Sequence, residues 1–178
     1  MTGYVLDCCT LLNLHCAWGG IWNLKSFPSQ FHLGSIVARE VFYVREFDAT
    51  GRVFDKTLTA SDLSSQCALP ILFPTEAELD ETARLSRWLD DGEAEGLAIA
   101  ASRGMAFCTD DGAVNRLVLG QDLQVLLVST PELLQTWARG NANRIASLPA
   151  AVKRIAGLGR FTPSRSSPHL DWWIKNLA

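Results

Sequence analysis

The chain has 178 residues, of which 48% are hydrophobic and 20% charged, and its formal net charge is −3. This supports a core for one ordinary domain and excludes disorder over most of the length. It also excludes a broad basic face for non-specific nucleic-acid binding, while leaving room for a local cationic patch or for an acidic site that meets phosphate through metal ions. The N-terminal residues carry no basic region followed by an apolar one, and no run approaches the ~18 apolar residues needed to span a bilayer. A cytoplasmic protein with no membrane partner is therefore expected. Cys8, Cys9, Cys16, Cys67 and Cys108 show no CxxC spacing and read as small hydrophobes in a reducing compartment. His15, His32 and His169 are too far apart in sequence to suggest a zinc site.

Tyr4-Val5-Leu6 is a short apolar run ending in Asp7, as expected of a strand buried on both faces. A helix is predicted over 10–18, closed by Gly19-Gly20. A second helix is predicted over 35–44, capped by Ser35, with Ile36, Val37, Val41 and Val44 as its apolar stripe and Glu40 among them. Asp48-Ala49-Thr50-Gly51 is a turn, followed by an extended piece near Val53, a short helix over 61–66 and an extended edge segment over 69–73. Thr75 and Glu78 match a capping box for a helix reaching about Leu89. Asp90 or Asp91 starts a further helix to Ser102, apolar nearly all round and so expected to be central.

Residues 105–108 form a second buried strand ending at Thr109-Asp110-Asp111, and a helix is predicted over 113–119. Residues 125–128 form a third strand, and Pro131 stands in the first turn of the helix that follows. A last helix is predicted over 149–156, followed by a tail with Arg160, Arg165 and Trp172-Trp173. The Trp172-Trp173 pair, together with Trp137, reads first as packing of a docked tail and second as a surface for stacking bases. This order of elements gives an α/β fold with a parallel sheet flanked by helices.

Two of the three predicted strands end in aspartate, and ligands of open parallel sheets bind beyond the carboxyl ends of the strands. Converging carboxylates repel one another and gain protons unless a cation neutralises them; hard oxygen ligands of this kind suit Mg²⁺ or Mn²⁺. Each acid also has an ordinary explanation. Asp7, Asp110 and Asp111 could cap helices, Glu93 and Glu95 suit a helix N-terminus, and Glu40 could be solvated.

Four pieces in order resemble the PIN domain family of metal-dependent nucleases, which includes the VapC-like toxins of toxin–antitoxin pairs. They are Val5-Leu6-Asp7 with Asn13 behind it, the stretch Ser35 to Val41 containing Glu40, the Asp91-Gly92-Glu93-Ala94-Glu95 start of a small-residue helix, and Phe107-Cys108-Thr109-Asp110-Asp111. The resemblance spans about residues 3–139. It implies a three-layer α/β/α sandwich and a metal-dependent ribonuclease with Mg²⁺ or Mn²⁺ held by Asp7, Glu40, Glu95 and Asp111. Glu93 and Asp110 are the competitors for the third and fourth places. Thr109 would support the carboxylates, and Asn13 would be a polar neighbour. Residues 1–140 would form the nuclease domain, with an extended segment at 46–74, and 141–178 a helix and tail packed on it.

The partners implied are RNA, a small antitoxin protein and a second copy of the chain. Arg39, Arg45, Arg52, Lys56, Arg116, Arg160 and Arg165 are candidate phosphate contacts. The rival readings are a catalytically weak module that binds nucleic acid or protein, and a metal-dependent phosphatase using the same acids.

Overall fold

The computed structural model describes residues 3–40 and 42–178. In chain order, β1 (Tyr4–Leu6) leads into α1 (Cys8–Trp18), a 3₁₀ segment (Trp22–Ser26), β2 (Phe31–Gly34) and a single 3₁₀ turn (Val37–Arg39). A hairpin of β3 (Phe42–Phe47) and β4 (Val53–Leu58) follows, then α2 (Ala60–Gln66), β5 (Ile71–Leu72), α3 (Glu76–Leu85) and α4 (Asp91–Arg103). The chain continues through β6 (Ala106–Cys108), α5 (Gly112–Gly120), β7 (Leu126–Val128) and α6 (Thr130–Ala138). It then runs through α7 (Ala142–Arg154), a π-helical turn (Ile155–Gly159) and α8 (Leu170–Leu177).

β1, β2, β5, β6 and β7 make one parallel sheet in the order β5-β2-β1-β6-β7. Strand alternation divides the core in two. Tyr4 and Leu6 of β1, with Ala106 and Cys108 of β6, face Leu11 and Leu14 of α1, Leu134 of α6, Val152 of α7 and Trp173 of α8. Val5 and Phe107 face the other way, onto Leu85 of α3, Leu97 and Ile99 of α4 and Val114 of α5. The result is a three-layer α/β/α sandwich. α4 is apolar nearly all round because it lies centrally on its face of the sheet: all its residues from Gly92 to Ala100 are buried. Gly96 has no side chain because the Phe107 ring occupies its place; a Cβ there would lie 2.6 Å from that ring.

Four features depart from the sequence expectations. The helix predicted over 35–44 is a 3₁₀ turn followed by a strand, and Glu40 has extended backbone (φ −72°, ψ 151°) rather than helical. The period-2 pattern prevails: Phe42 and Val44 are buried, Tyr43 between them is exposed, and the turn at Asp48 joins β3 to β4. Val41, part of the expected helical stripe, lies outside the described residues. Second, β2 is a strand that the expected element list lacks. Its four residues include His32 and follow a Pro- and Ser-containing stretch, so its apolar signal is short. Third, the helix expected over 149–156 begins a turn and more earlier, where Asn141 Oδ1 accepts the Arg144 amide at 3.1 Å, and Pro149 sits inside it. The helix from Thr75 also stops at Leu85, short of Leu89. Among the cysteines, Cys16, Cys67 and Cys108 are buried, while Cys9 is exposed.

Residues 141–178 pack through α7, the π-helical turn and α8 onto α1 and α6. Trp173 is fully buried, with Phe161 edge-on to it at 5.3 Å. No helix among the described residues is long and apolar enough to cross a membrane.

Candidate functional site

Strand register sets the site. Leu6 is level with Leu33 and Cys108, and Cys108 with Val128. The residues beyond these pairs, Gly34 with Asp7 and Thr109 with Ser129, lie along the carboxyl edge of the sheet, where α1, α4 and α5 begin.

Asp7 stands at the N-cap position of α1, but its side chain makes no capping hydrogen bond. It is 4% exposed, and its Oδ2 accepts the Thr109 hydroxyl at 3.3 Å. The Thr109 oxygen in turn accepts the Asp111 amide at 3.1 Å. Burial, and then the charge of Asp90, push the Asp7 carboxyl up to about 7; the Cys8 and Cys9 amides and the Thr109 hydroxyl offset this only in part.

Glu93 sits in the first turn of α4, where Asp90 caps the helix by accepting the Glu93 amide at 2.8 Å. Burial, followed by the charges of Asp90, Asp7 and Asp111, pushes Glu93 up to about 7 as well. Asp7, Asp90, Glu93 and Asp111 thus form one mutually repelling group drawn from β1, α4 and the end of β6. Among the described residues, none of the four takes part in an ion pair. In the sequence Asp90 reads only as a helix start. Its signal was the three-residue spacing to Glu93, which places both acids at the end of α4 that abuts β1.

The other predicted residues divide by what holds them. Asp111 is exposed at the N-cap of α5, where its Oδ1 accepts the Ala113 amide. Asp110 turns towards α1 and α6, accepting from Asn13 Nδ2 at 3.1 Å, the Thr130 amide at 2.9 Å and the Thr130 hydroxyl. Burial raises Asp110, and the Thr130 and Asn13 bonds pull it back. Asp110 and Asn13 therefore tie three elements together.

Glu95 has both oxygens engaged: the Ser35 hydroxyl donates to Oε1 at 2.6 Å and the Ile36 amide to Oε2 at 2.8 Å. Gly34 makes room for that carboxylate, since a Cβ there would stand 2.5 Å from Oε2. Of the two helix glutamates, Glu93 is the one coupled to Asp7. Glu40 lies beside the starts of α1 and α4. Its Oε1 is 3.3 Å from where a Cβ on Gly92 would stand, and after burial it is the next cause raising the Cys8 thiol far above its usual range. Partial burial of its sulfur, then the charges of Asp7, Glu93, Asp90 and Asp110, push Cys9 up to about 12.

As the side chains stand, no three His, Cys, Asp or Glu groups among the described residues are close enough to hold a metal ion together. The chemistry of the donor set nevertheless fits a hard divalent cation. The donors are carboxylate oxygens, they have no ion-pair partner among the described residues, and two have raised proton affinity. Comparison with protein-family models, with curated proteins and with solved structures gave no match.

Proposed function

We propose that the chain is a metal-dependent endoribonuclease of the PIN type that hydrolyses RNA phosphodiester bonds without a covalent enzyme intermediate, with its centre at Asp7, Glu93 and Asp111. Asp90 and Glu40 stand beside that centre, and Glu95 braces the 35–36 turn. The observation that carries the reading is the Asp7–Glu93 pair. Two buried carboxyls from different elements are both pushed to about 7, Glu93 in part by the charge of Asp7, and neither takes part in an ion pair among the described residues. A fold holds such a pair at a cost in stability, and a cation or a proton relieves it.

Bound Mg²⁺ or Mn²⁺ would polarise the phosphate and lower the pKa of water. The chain's own part is positioning. Thr109 fixes the Asp7 carboxyl through its hydroxyl and the Asp111 loop through its oxygen. Asp90 sets the first turn of α4 and so the height of Glu93. Asp110 and Asn13 lock the end of β6 against α1 and α6, so Asp111 cannot drift from the crevice.

The test is cleavage of a mixed single-stranded RNA pool with Mn²⁺, by native protein and by Asp7→Asn. Metal-dependent cleavage lost in the variant supports the reading. Hydrolysis of a chromogenic phosphate ester without RNA cleavage would select a phosphatase instead. A non-catalytic binding module is the second reading, favoured by the distance between the acids, which leaves no three close enough to share an ion. RNA binding without turnover by a folded, Mn²⁺-saturated protein would select it. Service as the toxin of a pair would require a small partner protein that inhibits cleavage, and a homodimer would be seen in sedimentation.

A further inference from the structure

Charge is distributed unevenly along the chain. Seven of its sixteen Lys and Arg residues, but only one of its nineteen Asp and Glu, fall in 139–178. That segment therefore carries a formal +6 and the preceding 138 residues −9. Arg139, Arg160, Arg165 and Lys175 are exposed. Among the described residues, no Lys or Arg of this segment is paired with a carboxylate side chain.

Between α6, α7 and α8 lies an open groove of about 300 Å³, lined by Gln135, Ala138, Arg139, Ile145, Leu148 and Trp172. Arg139 is its single charged residue. Trp172 is half-buried and tilted against Trp173, with ring centroids 6.4 Å apart, and Trp173 is fixed in the core. The groove thus presents a held indole beside a free guanidinium, on the part of the molecule with excess positive charge.

We infer that this groove binds a nucleotide of a single-stranded RNA, with the base against Trp172 and the backbone phosphate at Arg139. The choice of RNA as ligand rests on the nuclease reading. Stacking on an aromatic ring beside cations that follow the backbone is the general way in which unpaired strands are held. The groove has room for about one nucleotide. Six residues line it, against the about 20–30 on each side of a stable protein interface, which argues against an acidic protein segment as its occupant.

The experiment measures fluorescence anisotropy of a short labelled single-stranded RNA with the full chain in EDTA, where metal-dependent cleavage does not intervene. Trp172→Ala should weaken binding by about 5- to 100-fold, the usual worth of one stacked base, and Trp172→Phe should restore most of it. Arg139→Ala should reduce the slope of log affinity against log salt by about 0.7, one phosphate's share for a single strand. Arg87→Ala, an exposed arginine outside the segment, should bind as the native chain does. Binding is read in EDTA and cleavage with Mn²⁺, so loss of cleavage in Asp7→Asn and loss of binding in Trp172→Ala are separable results. Thermal melting of each variant shows whether Trp172→Ala is folded; if it is not, Trp172→Phe and Arg139→Ala decide. Native affinity in folded Trp172→Ala and in Arg139→Ala would overturn the inference. So would displacement of the RNA by a polyglutamate peptide of equal charge at lower concentration.

Discussion

Asp7→Asn should make the cation-free protein more stable at neutral pH while disabling the site. Asp7 has a folded pKa of about 7 against an ordinary value of 3.8. Because the folded value is raised, the folded state binds more protons than the unfolded state between about pH 4 and 7. Stability associated with this group is therefore greatest at low pH and falls as pH rises through that window. The rise from 3.8 to about 7, at about 1.36 kcal/mol per pH unit, sets an upper bound of about 4 kcal/mol above pH 7.

Asparagine removes the charge and keeps an acceptor for the Thr109 hydroxyl, so most of that penalty should disappear. Allowing for relaxation of the loop, a gain of about 2–3 kcal/mol is expected at pH 8. The assay is urea denaturation in EDTA from pH 5 to pH 8 for both proteins. The native-minus-variant difference isolates Asp7 from carboxyls shared by the two. The variant's advantage should shrink steadily as pH falls. A variant less stable than the native chain at pH 8, by an amount independent of pH, would refute the reasoning and return Asp7 to an ordinary structural role.

Glu93→Gln should abolish any rise in melting temperature on adding Mn²⁺, whereas Glu95→Gln should keep that rise but lower stability by about 1–2 kcal/mol through its bonds to Ser35 and Ile36; differential scanning fluorimetry separates them. Glu78, buried and held at about 2 chiefly by its hydrogen bonds with Arg103, should leave Arg103→Met less stable by about 3 kcal/mol at neutral pH. The penalty should fade as pH drops through 4.5 towards 2, as Glu78 protonates in the unfolded and then in the native folded state; denaturation at pH 7 and pH 3 checks it. Gly96→Ala drives a methyl into the Phe107 ring and should cost about 1–3 kcal/mol, measured by the same urea titration.

The sequence was most legible where local chemistry and burial agreed. The capping box at Thr75 and Glu78, the αL glycine after α1 and the strands β1, β6 and β7 all carry signals confined to a few neighbouring residues. β2 and the hairpin were less legible. A four-residue strand interrupted by His32 has too little apolar run to announce itself, and β3 follows Ile36, Val37 and Val41, whose spacing to Val44 also suits a helix. Asp7 was visible because a charged residue closes a fully buried run. The distinction between Glu93 and Glu95 was not, because it depends on which turn of β2 lies beside α4, where Gly34 admits the Glu95 carboxylate. Asp90 was masked by its second role, since a helix cap explains an aspartate there on its own.

If the carboxylates at the ends of β1 and β6 and the start of α4 serve RNA hydrolysis, new 5′-phosphate ends should form on a single-stranded RNA pool with Mn²⁺ and not with EDTA, followed for the native chain and Asp7→Asn side by side. The expected result is ends that appear only with the native chain and only with Mn²⁺, while Asp7→Asn stays folded and silent. Equal cleavage by both proteins, or cleavage by the native chain undiminished in EDTA, would contradict it.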